Sequence, residues 1–191
     1  MNIILASESP RRRELMQLMG LAFTVEPSDI IETPPAHATV EETVKALAVQ
    51  KAETVFAKHP DACVVGADTV VDLDGDILGK PHTPTRAKEY LTRMQGRWHT
   101  VYTGLAVLTP GKKDVRCCAT NVKFAPMSER EIDWYVSTGE PLDKAGAYGV
   151  QGPAGVFVER VDGNYFNVIG LPLPLLYEML KAANVLTEDR T

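Results

Sequence analysis

The first thirteen residues join a short apolar run to a helix start that carries three consecutive arginines. The run from Ile3 to Ala6 is typical of a buried strand. Ser9 and Pro10 then supply a favourable N-cap and a favourable first helical position. The chain therefore begins with a strand, a tight turn and a helix, an order that favours an α/β fold.

Strand and helix patterns continue to alternate along the rest of the chain. Thr39 with Glu42, and Ser128 with Glu131, have the spacing of capping boxes and predict two helix starts. Because some strands follow helices and others follow hairpin turns, the sequence predicts an α/β fold with a mixed sheet. The further predicted elements are strands at Phe23 to Glu26, Cys63 to Leu73, Thr100 to Leu108, Val115 to Phe124 and Val156 to Val161, a turn at Asp74 to Asp76, and helices that begin at Thr83-Pro84 and Pro172.

The charge balance disfavours a general nucleic-acid binder. The 191 residues include 20 Lys and Arg and 25 Asp and Glu, which gives a net charge of −5. Neutralisation of backbone phosphates dominates nucleic-acid affinity, so an acidic chain binds such polymers poorly. A chain of this size buries roughly 70% of its unfolded surface and needs no covalent staples.

Cysteine usage and hydropathy predict a cytoplasmic soluble protein with no membrane partner. The three cysteines lack the framework of a secreted disulfide scaffold. Zinc is not expected, because Pro60 separates His59 from Cys63 and spoils a helical ligand pair. The N-terminal apolar run is too short for a signal peptide, and no segment reaches the ~18 apolar residues of a membrane span.

The three arginines, Arg11 to Arg13, occupy the first turn of the first predicted helix. The helix dipole already makes this turn positive, so each exposed cation there costs about 0.3–1 kcal/mol. A strand, a small-residue turn, free backbone N–H groups and arginine forks together describe a phosphate pocket. The alternative is a solvated basic turn, but three cations at an unfavourable position favour the pocket.

A carboxylate, Asp68, lies inside an apolar strand. Its burial is costly unless the group is paired or binds a metal. We expect it at the carboxyl end of the strand, where α/β proteins bind ligands. There it suits Mg²⁺, which takes one or two carboxylates plus phosphate oxygens, or it orients and deprotonates a water molecule. The alternative is an aspartate that caps a turn; Glu32 is the next candidate carboxylate.

Lys51 shares the apolar stripe of its helix with Leu47 and Val55. A lysine at this position either extends its ammonium to solvent or meets a negative partner. The spacing alone leaves both alternatives open.

A glycine-rich segment extends from Gly139 to Gly152. Glycines let a backbone approach a ligand closely, and the Gln151 amide offers the donor and acceptor that reading a base edge requires. Lys80 and Lys144 add loop cations, while a flexible surface loop is the alternative. With the arginine pocket and the buried carboxylate, these features indicate a nucleotide or another phosphorylated metabolite bound with Mg²⁺.

The motifs and their order resemble those of the Maf family over essentially the whole chain. The resembling residues are Leu5-Ala6-Ser7, Ser9-Pro10-Arg11-Arg12, Glu14-Leu15, Gly66-Ala67-Asp68-Thr69-Val70, Gly79-Lys80-Pro81, Thr103-Gly104, Gly139-Glu140-Pro141 through Gly152, and Asn167-Val168-Ile169-Gly170-Leu171-Pro172.

The resemblance implies a single nucleotide pyrophosphatase domain over residues 1–191. Such enzymes cleave between the α- and β-phosphates of a nucleoside triphosphate with a divalent metal, Mg²⁺ or Mn²⁺. Their fold is related to that of inosine triphosphate pyrophosphatases: a long mixed sheet flanked by helices, with two lobes and a central cleft. Many are homodimers, although no apolar stripe in this sequence indicates one.

The resemblance also assigns roles to individual residues. Asp68 matches the catalytic proton acceptor and, with Glu32, the acidic positions that hold metal or water. A dTTP/UTP-hydrolysing branch of the family is matched at three positions: Arg11, Thr69 and Gln151. The positions that match phosphate-binding residues are Ser7, Arg11, Arg12, Lys51 and Lys80.

Two other functions stay open at this point. One is a house-cleaning pyrophosphatase for purine or methylated nucleotides. The other is a non-catalytic regulator that binds nucleotide, protein or nucleic acid, because the family's name derives from inhibition of septum formation. The carboxylate among cations and the net charge of −5 disfavour the regulator.

Overall fold

The computed structural model describes residues 1–186, so the predicted domain end at residue 191 lies outside the described residues. Within them, none of the helices combines the length and apolar character needed to span a bilayer. The strands are β1 (Ile3–Ala6), β2 (Thr24–Val25), β3 (Cys63–Leu73), β4 (Asp76–Leu78), β5 (Trp98–Thr109), β6 (Lys112–Phe124) and β7 (Val158–Asp162); the α-helices are α1 (Pro10–Leu18), α2 (Val40–Phe56), α3 (Pro84–Met94), α4 (Glu129–Ser137), α5 (Tyr165–Ile169) and α6 (Leu173–Ala182).

These strands form one mixed sheet with the order β2-β1-β3-β5-β6-β7, and β4 pairs with β3 beside this path. The β1 strand is parallel to both β2 and β3, whereas β4 and β7 are antiparallel to β3 and β6. The predicted α/β fold, a long mixed sheet flanked by helices, is confirmed.

The chain divides into two compact units. Among the described residues, the first unit comprises residues 1–68, 103–118 and 170–186, and the second comprises residues 69–102 and 119–169. Strands β3, β5 and β6 contribute residues to both units.

The core of the first unit is formed where α2 packs against the sheet. The capping box that the sequence predicts at Thr39 and Glu42 is present at the start of this helix. A β-carbon at Gly66 would overlap the carbonyl oxygen of Ala48, and one at Gly104 would overlap that of Val44. Only glycine at both strand positions therefore lets α2 approach this closely, which fixes the height of its side chains above the sheet.

The core of the second unit contains α3, α4 and a buried aromatic group. His99, Phe124 and Tyr148 meet edge to face, with ring centroids 4.8–5.3 Å apart. The glycine-rich segment contains two short 3₁₀-helices, Glu140–Asp143 and Ala145–Ala147, and a third, Pro153–Phe157, follows it directly.

Two short elements, β4 and α5, were not predicted from the sequence. The predicted turn after β3 is a two-residue hairpin connection, with Asp74 at φ 56° and Gly75 at φ 87°. Both left-handed residues match a type I′ turn, which returns the chain into β4. The β2 strand covers only Thr24–Val25, half of the predicted strand from Phe23 to Glu26.

Candidate active site

The turn between β1 and α1 is held by serine hydroxyls. Ser9 caps α1 and accepts a hydrogen bond from the backbone N–H of Arg12. The buried Ser7 hydroxyl accepts from the Ser9 N–H at 3.2 Å and from Nη1 of Arg12 at 3.3 Å. These hydrogen bonds order the first turn of α1. They bring its backbone N–H groups and the Arg12 guanidinium together at the start of the helix.

Arg12 is also held by a backbone carbonyl that sequence reasoning did not single out. Its Nε donates to the Gly170 oxygen at 2.9 Å. Gly170 has φ 122°, a conformation that favours glycine. The glycine in the motif before α6 is therefore the sequence signal that could have pointed to this contact. Burial lowers the pKa of Arg12, while the Asp68 carboxylate, nearby, acts in the opposite direction. The guanidinium stays charged, since arginine is not deprotonated in proteins.

Lys51 meets two carboxylates, which decides between the alternatives its spacing left open. Its Nζ lies 2.6 Å from Oδ1 of Asp68 and 2.8 Å from Oε1 of Glu32. The Lys51 and Asp68 side chains are only 12% and 10% exposed, whereas Glu32 is 47% exposed. The pair of Lys51 and Asp68 is therefore largely shielded from solvent, and Glu32 joins it from a loop.

Asp68 lies in the middle of β3 rather than at the carboxyl end of that strand, so the expected position was wrong. The parallel strand β1 ends at Ala6, which is paired with Gly66. Beyond this point β3 continues without β1, and Asp68 follows two residues later. The carboxylate thus lies at the carboxyl end of the neighbouring strand, next to the turn that carries Ser7.

The chemistry of the two carboxylates fits a hard divalent cation. Asp68 and Glu32 share one cation, the Lys51 ammonium, so both offer oxygens to the same region. Within residues 1–186 no group of three or more His, Cys, Asp or Glu side chains is placed to hold a metal. Two carboxylates suit Mg²⁺ when phosphate oxygens and water complete its coordination, and they do not suit structural zinc.

The sequence model of one protein family matches nearly the whole chain. Residues 2–183 match the sequence model of the Maf family, described as Maf-like protein. The chain belongs to the Maf family.

Curated relatives cover most of the chain. It is 48% identical over 186 residues to the dTTP/UTP pyrophosphatase of Thermotoga maritima, covering 94% of this chain and 88% of the relative. It is 44% identical over 183 residues to the dTTP/UTP pyrophosphatase of Bacillus velezensis, covering 96% and 97%. Among solved structures, the Staphylococcus aureus Ham1 protein matches with a TM-score of 0.55 at 16% identity, covering 96% of this chain and 100% of that chain. This last likeness shows a shared fold.

The structure brings some of the Maf motif residues together and leaves others elsewhere in the chain. Ser7, Arg12, Glu32, Lys51 and Asp68 form one connected group in the first unit. Arg11 is half-buried, and its charge helps to lower the pKa of Arg12, whereas the third arginine of this turn, Arg13, is exposed. Thr69 is half-buried directly after Asp68, and Lys80 and Gln151 are exposed in the second unit.

Proposed function

We propose that this Maf chain is a nucleoside triphosphate pyrophosphatase that hydrolyses dTTP and UTP, with modified pyrimidine triphosphates as further candidate substrates. The observation that carries the proposal is the group formed by Lys51 and Asp68 beside Arg12 at the start of α1. It combines cations that suit phosphates with a shielded carboxylate that suits an attacking water. The names of relatives that are 44–48% identical support the substrate.

The phosphates bind at the start of α1 in this proposal. The Arg12 fork and the Ser7 hydroxyl contact phosphate oxygens, and the backbone N–H groups of the first helical turn add the helix dipole. Gly170 keeps the Arg12 guanidinium oriented before substrate arrives. This preorganisation lowers the cost of binding a triply phosphorylated chain.

Hydrolysis then requires activation of a water molecule and stabilisation of the leaving pyrophosphate. Asp68 accepts a proton from the water that attacks the α-phosphorus, and Lys51 holds this carboxylate in place until substrate phosphates compete for its ammonium. A divalent metal, Mg²⁺ or Mn²⁺, held by Asp68 and Glu32, supplies charge neutralisation on the leaving group when bound. Whether Asp68 acts as base or as metal ligand, its negative charge is essential.

The remaining assignments rest on the sequence resemblance. Lys80 binds phosphate, and Arg11, Thr69 and Gln151 select a thymine or uracil base. The two compact units then belong to one pyrophosphatase domain over residues 1–191. The homodimer that the resemblance implies stays a prediction, which light scattering would check.

A cytoplasmic nucleotide pool is the proposed source of substrate. Within the described residues Cys63, Cys117 and Cys118 form no disulfide bond, as is usual in a reducing compartment. The net charge of −5 supports a small anion rather than nucleic acid as the ligand.

A substrate panel tests the proposed function. Pyrophosphate release is measured from dTTP, UTP, dATP, GTP and 7-methyl-GTP, with Mg²⁺ and with Mn²⁺. The proposal predicts the highest kcat/KM for dTTP and UTP. A higher value for GTP or 7-methyl-GTP would transfer the assignment to the house-cleaning alternative. Tight, steeply salt-dependent DNA binding without turnover would instead support the regulator.

A further inference from the structure

The segment that carries Gln151 is built around the carboxylate of Glu140. A β-carbon at Gly152 would overlap Oε1 of Glu140, and one at Gly149 would lie 3.1 Å from the same oxygen. Gly149 and Gly152 are the two residues that bracket Val150 and Gln151. The backbone on both sides of Gln151 therefore lies directly against one side-chain oxygen, at positions where any larger residue would displace it.

A tyrosine hydroxyl joins this carboxylate to the same backbone. Tyr135 is fully buried in α4, and its Oη accepts a hydrogen bond from the Gly149 N–H at 3.3 Å. Burial, followed by a hydrogen bond to Glu140, raises the pKa of the Tyr135 hydroxyl. The hydroxyl thus stays protonated, donates to the carboxylate and accepts from the segment, so that helix, carboxylate and segment are linked.

Lys144 closes the other side of the arrangement. Its ammonium donates to the main-chain oxygen of Glu140 at 2.8 Å and to Oδ1 of Asp143 at 2.8 Å. Its aliphatic chain lies against Gly149, where Cε would be 2.9 Å from an added β-carbon. The sequence suggested Lys144 as a loop cation for a ligand, but the structure shows its charge used within the segment.

The Glu140 carboxylate lowers the stability of the fold. Its Oε2 is buried and has no hydrogen-bond partner among the described residues. A buried polar oxygen without a donor lowers stability, and an apolar residue of similar volume would fill the space at lower cost. A carboxylate at this position is explained if it fixes one conformation of the neighbouring backbone. An apolar side chain would leave that conformation less well defined.

We infer that Glu140, acting through Tyr135 and the glycines, is a positioning residue that fixes residues 149–152 and thereby the Gln151 amide that selects the base. The inference rests on the proposed function, since it deepens the specificity role assigned to Gln151. It extends that role to a residue that contacts the segment and not the reacting phosphates. Glu140 therefore acts on base selection and leaves phosphate chemistry to the first unit.

The test measures base selectivity in variants of Glu140 and Tyr135. The readout is the ratio of kcat/KM for dTTP to kcat/KM for dATP, together with the thermal unfolding midpoint. Glu140→Ala and Tyr135→Phe are expected to lower the ratio about tenfold, the effect of losing one well-placed hydrogen bond to a base edge. The loss is expected in KM for dTTP, with kcat largely kept.

Two further variants separate positioning from plain stability. Glu140→Gln keeps the length and an oxygen that accepts from Tyr135, so it is expected to keep the ratio within about twofold. Gln151→Ala shows how much of the dTTP-to-dATP ratio depends on the Gln151 amide. The double variant E140A/Q151A is expected to be no less selective than Q151A alone, because both changes act through that amide. A purely structural role would lower the unfolding midpoint and leave the ratio unchanged.

The outcomes distinguish this inference from the proposed function. If the unmodified enzyme shows no preference for dTTP over dATP, the proposed function fails. If it shows the preference and E140A keeps it, the inference is overturned while the function stands. Should E140A fail to fold, Tyr135→Phe carries the test, and an unchanged ratio in that folded variant overturns the inference.

Discussion

The ammonium of Lys51 lies 2.6 Å from the Oδ1 of Asp68, and both side chains are nearly withdrawn from solvent. The lysine comes from α2 and the aspartate from β3, so the pair links a helix to the central sheet. A second carboxylate, Glu32, reaches the same ammonium from a loop. One cation thus holds in place the two carboxylates to which the proposed reaction assigns water activation and metal binding.

Removal of the Lys51 charge leaves two carboxylates without their shared cation. Lys51→Met is expected to lower the free energy of unfolding by about 3 kcal/mol, because breaking a shielded pair strands a charge. Urea unfolding at pH 7 measures this. Lys45→Met on the same helix removes only an exposed pair with Glu41 and is the matched control, expected to change little.

A second variant makes this result specific. Adding Asp68→Asn to Lys51→Met removes the more shielded of the two stranded charges, so the double variant is expected to be more stable than Lys51→Met alone. Equal stability of the two would mean that the ion pair does not govern this region.

The approach of α2 to the sheet depends on a missing side chain. Gly66→Ala would push its β-carbon into the Ala48 carbonyl and to within 2.9 Å of the Ala52 β-carbon. We expect a loss of about 2 kcal/mol in unfolding free energy from this overpacking, with reduced turnover because Lys51 moves with the helix. Gly79→Ala, which meets nothing within 4 Å, is the control in the same unfolding assay.

Much of the first unit could be predicted from local sequence, but its contacts could not. The capping box at Thr39 and Glu42 predicts where α2 begins, because capping depends on residues three apart. The partners of Lys51 lie 17 and 19 positions away, on a strand and an irregular loop, where no period applies. The sequence therefore predicts that Lys51 either reaches solvent or meets a negative partner, but it does not identify the two carboxylates as its partners.

Short and glycine-rich elements were the least predictable. The β4 strand has three residues and α5 has five, too few to show a hydrophobic period. The role of Gly170 was also hidden, because its carbonyl meets Arg12 across 158 positions of sequence. Charge and motif pattern predicted which side chains are candidates for the site. Contacts between a side chain and a distant backbone carbonyl, such as that of Arg12 with Gly170, are determined only in the folded chain.

The fork geometry of Arg12 gives a prediction for phosphate binding. Arg12→Lys keeps the charge but loses the Nε donor to Gly170 and the bidentate fork, so KM for dTTP is expected to rise about tenfold. Arg13→Lys, at the exposed neighbouring position, is expected to leave KM unchanged. Steady-state kinetics on both variants checks this, and equal KM values would remove Arg12 from the phosphate site.

Acid sensitivity in the second unit is expected from a buried histidine. Burial lowers the pKa of His99 to about 4, and its Nε2 lies 2.8 Å from the Tyr148 hydroxyl. Below about pH 6.5 the histidine binds a proton in the unfolded chain but not in the folded one. The contribution of neutral His99 to the free energy of unfolding is therefore fully present above about pH 6.5. As the pH falls towards 4, about 3 kcal/mol of stability is lost.

A variant without this titration isolates the effect. His99→Phe is expected to show a shallower loss of unfolding free energy between pH 6.5 and 4.5 in urea titrations, since phenylalanine takes up no proton. Parallel curves for the two proteins would show that His99 does not titrate in this way.

The central claim is that Asp68 serves hydrolysis between the α- and β-phosphates, and product analysis of dTTP turnover by the unmodified enzyme and by Asp68→Asn tests it most directly. We predict one pyrophosphate and one dTMP per dTTP consumed, and a fall in kcat of at least about 100-fold in the variant, the typical contribution of general-base catalysis. Release of inorganic phosphate with dTDP, or full activity of folded Asp68→Asn, would contradict the account.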